Sequence, residues 1–324
     1  MKVSVFLFLF IFLNLPLSHF TIYLMKNYLF IFAFSVFTVF FSCKSQFTNK
    51  QNTIEVQAHR GDRGYFPENT LPAFYSAIDK GADVIELDLV ISRDKKVVVS
   101  HDTFMHSSYV TSPNGKPVTK EEEKKSNLYA MAYDSIRRYD VGVRSNPVFP
   151  DQKSIKTYKP LLSELIDSIE AYIVKNKKQR IRYNIEIKSG SGDYGIKQPQ
   201  PSEFADLTLA IIKEKKIEKY CNVQSFDPQI LNALHQKAPK IRIAILTGDK
   251  GFAKNLAKLN FQPEIYAPHY GLVNQALIDS VRSQNMKIIP WTVNENKDIE
   301  SMISLKVDGI ITDYPDRVIE KLKK

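Results

Sequence analysis

The chain has 324 residues, 44% of them apolar and 25% charged, proportions that exclude a disordered, collagen-like or polytopic membrane protein and leave enough apolar material for a sizeable core. Lys and Arg number 45 against 35 Asp and Glu, a formal charge of +10, which suits an anionic partner such as a phosphate ester, a lipid headgroup or nucleic acid. The two cysteines, Cys43 and Cys221, cannot make a disulfide framework, so stability has to come from packing.

Residues 1–42 carry Lys2 and Lys26 as their only Lys or Arg, no acid, and a dense run of Phe, Leu, Ile and Val. Within them Met25-Lys26-Asn27 is a basic opening, Tyr28 to Phe41 an apolar stretch, and Ser42 a small residue placed before Cys43. The pattern resembles a bacterial lipoprotein signal, with Cys43 as the lipidated first residue of an exported, membrane-anchored protein facing the periplasm or the exterior. The alternative is a single uncleaved anchor, for which about 20 apolar residues suffice; Met25 offers a second start. Residues 43–53 are expected to form a polar tether, and residues 54–324 the folded domain.

From there short β-branched runs alternate with amphipathic helical stretches, the signature of a parallel sheet with crossover helices. Strands are expected at Glu55–His59, Val84–Val90, Val97–Ser100, Arg182–Lys188, Asn222–Ser225, Arg242–Leu246, Glu264–Pro268, Lys287–Val293 and Gly309–Thr312. Only Ile91 to Lys96 separate the second from the third, too few for a parallel crossover, so Val97–Ser100 must turn back as a hairpin. Eight parallel strands remain, the number a (β/α)8 TIM barrel needs. Asn69-Thr70 is expected to cap a helix that buries Ala73, Phe74, Ala77 and Ile78 and ends at Gly81, and Leu161 to Val174 reads as the helix before the next barrel strand. An insertion at about 103–159, rich in Lys, Tyr and Ser and without a sustained apolar face, is placed over the catalytic mouth. Its removal is expected to leave the barrel folded.

Strand parity supplies the chemistry. Glu86 and Asp88 share one face of their strand, and Asn184, Glu186 and Lys188 share one face of theirs, so three carboxylates meet inside the barrel. Like charges buried together need a cation. An all-oxygen donor set suits Ca²⁺ or Mg²⁺ and not Zn²⁺; the alternative is a carboxylate–lysine network without metal. His59 and His101 end strands at the same mouth, where imidazole can hold or give a proton near neutral pH. Arg60 offers a fork for phosphate oxygens. Glu68 and Asn69 read as loop anchor and helix cap. Trp291 and Phe226 are open between pocket wall and core, and His106, His235 and His269 read as surface or core residues.

The run His59-Arg60-Gly61, Pro67-Glu68-Asn69-Thr70, Ala73-Phe74, Gly81-Ala82-Asp83, Ile85-Glu86-Leu87-Asp88 and His101-Asp102 resembles the glycerophosphodiester phosphodiesterase family. So do Ile185-Glu186-Ile187-Lys188, Ser225-Phe226, Trp291-Thr292-Val293-Asn294 and Gly309-Ile310-Ile311-Thr312-Asp313, from about residue 55 to 318. The resemblance implies hydrolysis of glycerophosphodiesters to glycerol 3-phosphate and an alcohol. His59 and His101 would be the general acid and base, Glu86, Asp88 and Glu186 would hold one divalent cation, and Arg60 and Lys188 would bind the phosphate. The nearest alternative is a phosphodiesterase that cleaves a lysophospholipid or sphingolipid headgroup on the same barrel. The basic surface carries no nucleic-acid motif, so the expected partners are a small diester and, through the N-terminal lipid, a membrane.

Overall fold

The computed structural model describes residues 54–323; the expected signal at 1–42, the lipidation residue Cys43 and the tether to residue 53 lie outside them. Nine strands form: β1 (Glu55–Ala58), β2 (Val84–Ile91), β3 (Val97–Val99), β4 (Arg182–Ile187), β5 (Cys221–Ser225), β6 (Arg242–Thr247), β7 (Ile265–Pro268), β8 (Lys287–Ile288) and β9 (Gly309–Thr312). Eight run parallel in the order β8-β7-β6-β5-β4-β2-β1-β9, and β3 folds back antiparallel on β2 with Val99 opposite Leu89 and Val97 opposite Ile91.

The ends of this path are joined by backbone bonds. Asp308 N donates to Ile288 O at 3.0 Å, Ile311 N to Pro290 O at 3.0 Å and Val293 N to Ile311 O at 2.9 Å, which closes a TIM barrel. The eighth strand is shorter than its β-branched run suggests, ending at Ile288, because Pro290 has no N–H to give to a ladder.

Alternation along each strand separates two interiors. Ile85, Leu87 and Leu89 point to the helices and pack with Phe74, Leu165 and Ile169 in the main core. Inside the barrel, β1, β4 and β5 contribute a polar layer: Asn184 Nδ2 donates to Gln57 Oε1 at 2.8 Å and Asn222 Nδ2 to Asn184 Oδ1 at 2.6 Å. β6, β7 and β9, with the residue that follows β8, line their part of the interior with Ala244, Ile265, Ile311 and Ile289.

The helix Leu71–Lys80 ends as expected at Gly81, with φ of 92°. Its start differs. Thr70 occupies the N-cap position but its hydroxyl donates to Pro67 O at 2.6 Å, and Asn69 turns away to the carboxylate Asp88. The turn is thereby recruited to the barrel interior rather than to the helix end.

The insertion also differs from expectation. It holds a helix over Lys120–Lys125, closed by a capping box from Thr119, and short helical turns at Leu128–Ala130 and Tyr133–Ile136. Met105, Tyr109, Val110, Val118, Leu128 and Ile136 form a buried cluster on Val90 and Val98 of the hairpin. These residues come from successive turns, so they show no helical or strand period in sequence. The insertion is a second core sharing a wall with the barrel, and its removal would bare Val90 and Val98. Among the described residues no helix is long and apolar enough to cross a membrane.

Leu128 has no exposed surface at the centre of this cluster. Leu128→Ala is expected to cost about 2–5 kcal/mol, measured by denaturant unfolding; a loss under about 0.5 kcal/mol, the range of surface substitutions, would show that the cluster does not hold the insertion.

Candidate active site

The site is built where β1, β2 and β4 end. Beyond β1 the chain turns sharply, with Arg60 at φ 52° and Gly61 at φ 88°. A Cβ on Gly61 would stand 2.7 Å from that of Ala73, so only glycine fits. The left-handed conformation of Arg60 costs energy that its surroundings return: its N–H donates to Glu86 Oε2 at 2.9 Å and its carbonyl accepts from Asn69 N at 2.9 Å. The Arg60 side chain then lies in the barrel mouth, with NH1 2.9 Å from Glu68 Oε1 and Nε 3.3 Å from Asp88 Oδ2. Burial opposes the charge on Arg60, but Glu68, Asp88 and Glu86 raise its pKa above the ordinary guanidinium value. Burial likewise opposes ionisation of Glu68, and the guanidinium groups of Arg60 and Arg63 overcome it and hold Glu68 well below the usual carboxylate range.

Glu86, Asp88 and Glu186 each present an oxygen such that all three lie within 4.8 Å of one another. Burial, with Asp88 and Glu186 alongside, pushes Glu86 well up. Glu186 is raised by burial against the pull of Lys188, whose Nζ is 2.6 Å from its Oε1. Burial would raise Asp88 too, but Arg60 and Lys188 hold it below the ordinary value. Asp88 Oδ2 accepts from Asn69 Nδ2 at 2.8 Å, whereas the buried Oδ1 has no hydrogen-bond partner and only Lys188 Nζ at 3.6 Å. Three buried carboxylates, one with an oxygen left over, are a fitting cradle for a hard divalent cation.

Each histidine is tied through Nδ1 to a carboxylate: His59 to Asp313 Oδ1 at 2.7 Å, His101 to Asp102 Oδ1 at 2.8 Å. The carboxylate accepts, so Nδ1 carries the proton and Nε2 has the lone pair of the neutral ring. Burial lowers the pKa of His59, with Asp313 pulling the other way. For Asp313 burial is outweighed by His59 and Arg63, and its pKa falls to about 2. A cavity is lined by His59, Arg60, Glu86, His101, Glu186 and Lys188 together with Trp291 and Phe226.

The structure thus brings together all seven polar residues singled out in the sequence and places the two aromatic ones on the cavity wall, where their rings meet edge to face at 5.2 Å. His106 and His235 stack instead on Tyr109 and Phe261, and His269 packs beside Trp291, 5.4 Å between ring centres. Sequence reasoning missed the partners Asp313, Asp102 and Glu68. For Asp313 a signal was present, because it directly follows β9 and so lies at the same mouth; Asp102 adjoins His101. Nothing in the sequence pairs Glu68 with Arg60 and Arg63.

The glycerophosphoryl diester phosphodiesterase family model matches residues 59–317. The chain is 30% identical over 270 residues to a glycerophosphodiester phosphodiesterase of Caldanaerobacter subterraneus subsp. tengcongensis, covering 83% of this chain and 98% of the relative. A solved structure from Silicibacter pomeroyi DSS-3, assigned as a glycerophosphoryl diester phosphodiesterase, superposes with a TM-score of 0.75 at 26% identity, covering 84% of this chain and 93% of that one. A phosphodiesterase of Oleispira antarctica, solved with the product sn-glycerol-3-phosphate, shares the fold at 19% identity with a TM-score of 0.67, covering 84% and 98%.

Because Glu86 and Glu186 have raised pKa values, they hold protons at pH values where ordinary carboxyls have lost them, and a bound cation requires both ionised. Titrating a divalent cation into the metal-free protein should therefore release protons, and affinity should weaken as pH falls. Calorimetry in buffers of different ionisation enthalpy reads this directly; a binding heat independent of buffer would refute it.

Proposed function

The chain belongs to the glycerophosphoryl diester phosphodiesterase family of phosphoric diester hydrolases, and from that premise we propose that it hydrolyses glycerophosphodiesters to glycerol 3-phosphate and an alcohol. His59 and His101 are its acid–base pair, and Ca²⁺ or Mg²⁺ is held by Glu86, Asp88 and Glu186. The observation that carries this reading is that two carboxylate-tethered imidazoles, two fixed cations and Glu86 and Glu186 of a metal-fit carboxylate triad line one cavity, with an oxygen of the third carboxylate, Asp88, within 4.8 Å of theirs.

A bound divalent cation would supply Lewis-acid stabilisation of the phosphoryl charge. The chain's own residues do the rest. Arg60, held rigid by Glu68, presents its guanidinium to the phosphate oxygens, and the Lys188 ammonium does the same from β4's end. His59, which burial favours in the neutral form, accepts at Nε2 the proton of the neighbouring glycerol hydroxyl as that oxygen attacks phosphorus. His101 donates a proton to the departing alcohol oxygen. The resulting cyclic phosphate is opened by water with the two roles exchanged, leaving glycerol 3-phosphate. Three carboxylates and a divalent cation leave one negative charge, which Arg60 and Lys188 turn to one positive, the complement of a phosphodiester monoanion. Trp291 and Phe226 wall the cavity and limit water.

The apolar opening segment supports a further part of the reading: residues 1–42 act as an export signal, Cys43 carries lipid, 43–53 tether, and the barrel works at a membrane surface outside the cytoplasm. Water-soluble headgroup diesters suit a cavity with this many charged walls; cleavage of lysophospholipids is the competing activity.

Residues 44–324 should release glycerol 3-phosphate from glycerophosphodiesters, lose activity in excess EDTA and regain it with Ca²⁺ or Mg²⁺. His59→Ala and His101→Ala should each lower kcat by about two to four orders of magnitude without unfolding. Full activity with chelator and no bound metal would sink the metal assignment, and preferential turnover of lysophosphatidylcholine in the same panel would favour the competing activity. Separately, Cys43→Ala should abolish membrane attachment of the mature product; mass spectrometry of the N-terminus of the unsubstituted protein should find a diacylglyceryl Cys43, and an intact Met1 or Met25 would mean an uncleaved anchor instead.

A further inference from the structure

The two histidines are held by different parts of the molecule. Asp313, the partner of His59, accepts from Asn294 Nδ2 at 2.7 Å, and its own N–H donates to Asn294 Oδ1 at 2.9 Å. His59 is thus secured within the barrel, between β1 and the ends of β8 and β9. His101 has no such support. It follows β3, a three-residue strand with only β2 beside it in the sheet, and its side chain is 32% exposed against 12% for His59. Its partner Asp102 is the next residue along, on a chain already leaving the barrel.

What holds Asp102 comes from the insertion, at both of its ends. The Tyr109 hydroxyl lies 3.3 Å from Asp102 Oδ2, the oxygen His101 does not use, and the Tyr109 ring is buried in the insertion's own cluster. Lys159 Nζ donates to Ser100 Oγ at 2.8 Å, and Ser100 Oγ donates to the Asp102 carbonyl at 2.7 Å. Lys159 is only 6% exposed, and among the described residues no carboxylate forms an ion pair with it. Burying an ammonium so sparsely partnered is costly for packing alone. The same stretch steadies β3 from its open edge, where Val99 N donates to Pro160 O at 2.8 Å and Leu161 bridges Val98. Neither Tyr109 nor Lys159 lines the two cavities that His101 borders.

We propose that the insertion is a brace for His101: Tyr109 and Lys159 are positioning residues that fix Asp102, and through it the Nδ1–H tautomer and ring orientation of His101. This rests on His101 being half of the acid–base pair. A loosened Asp102 leaves the imidazole free to turn, so that Nδ1–H is no longer held and Nε2 is no longer aimed to give its proton to the departing oxygen and, in the second step, to take one from water.

The test uses sn-glycero-3-phosphocholine with saturating divalent cation and the variants Tyr109→Phe and Lys159→Met, each alone and combined with His101→Ala. Alone, each should lower kcat by about 10- to 100-fold, the usual scale for partners that orient a site group, with KM within about twofold. Combined with His101→Ala, neither should lower kcat further, since residues acting through one group are not additive. Nitrogen NMR of the imidazoles should show His101 changing from a single Nδ1–H tautomer to a mixture in Tyr109→Phe. The brace is overturned if kcat is unchanged, if the same loss recurs in the His101→Ala background, or if KM alone rises. Should Lys159→Met fail to fold, Tyr109→Phe, which keeps the buried ring, decides by itself. A fully active His101→Ala would instead bring down the acid–base reading, whereas an inactive His101→Ala beside a wild-type-like Tyr109→Phe would bring down the brace only.

Discussion

Three carboxylates, Glu86, Asp88 and Glu186, share the inside of one barrel with oxygens within 4.8 Å of each other, and most of what surrounds them follows from that repulsion. Like charges at such separations and burial cannot all be ionised without compensation. Arg60 and Lys188 supply part of it from within 3.6 Å, enough to keep Asp88 charged but not Glu86 or Glu186 at their ordinary values. The remaining deficit is the physical case for a cation. It also explains the polarity of the inner barrel below the site, where Gln57, Asn184, Asn222 and Gln224 hydrogen-bond in chains instead of packing apolar side chains against a charged layer.

The same repulsion accounts for the turn after β1. Arg60 reaches the carboxylates because the backbone turns back at a left-handed residue followed by a glycine that no larger residue replaces. Glu68 then holds both Arg60 and Arg63, with Arg63 Nε 2.6 Å from Glu68 Oε2 and its NH1 3.6 Å from Asp313. A continuous path of alternating charge therefore runs from the triad through Arg60, Glu68 and Arg63 to the carboxylate that orients His59. Arg60, the carboxylate triad and the partner of His59 are set by one electrostatic network, and a change in any member should be felt at the others.

The insertion meets that network at Arg63, whose guanidinium lies 4.5 Å from the Phe149 ring centre and whose carbonyl accepts from Gln152 Nε2 at 2.7 Å, and it reaches His101 separately through Asp102. Its apolar cluster and the hairpin are one packed unit. A histidine on a short edge strand would otherwise depend on a two-stranded ribbon, which is only marginally stable.

Sequence alone determined the fold class and the residues that meet at the site, because both depend on local regularities. The period of two in Val84–Ile91 and Arg182–Ile187 puts Glu86, Asp88 and Glu186 on inner faces, and the short link to β3 allows nothing but a hairpin. The count of eight parallel strands and the placing of His59 and His101 at strand ends follow from the same reading. Only the tertiary structure decided the rest, for reasons equally physical. Pairings such as His59 with Asp313, 254 residues apart, or Tyr133 with the Lys159 carbonyl across the insertion, depend on how turns and crossovers close, which no local period records. Asn69 looks like a helix cap until the barrel brings Asp88 within 2.8 Å of its amide. The insertion looks polar and featureless until its scattered Met105, Val118, Leu128 and Ile136 converge on Val90 and Val98. Burial that comes from successive turns leaves no periodic trace in a sequence, and a charge's partner is set by distance in space.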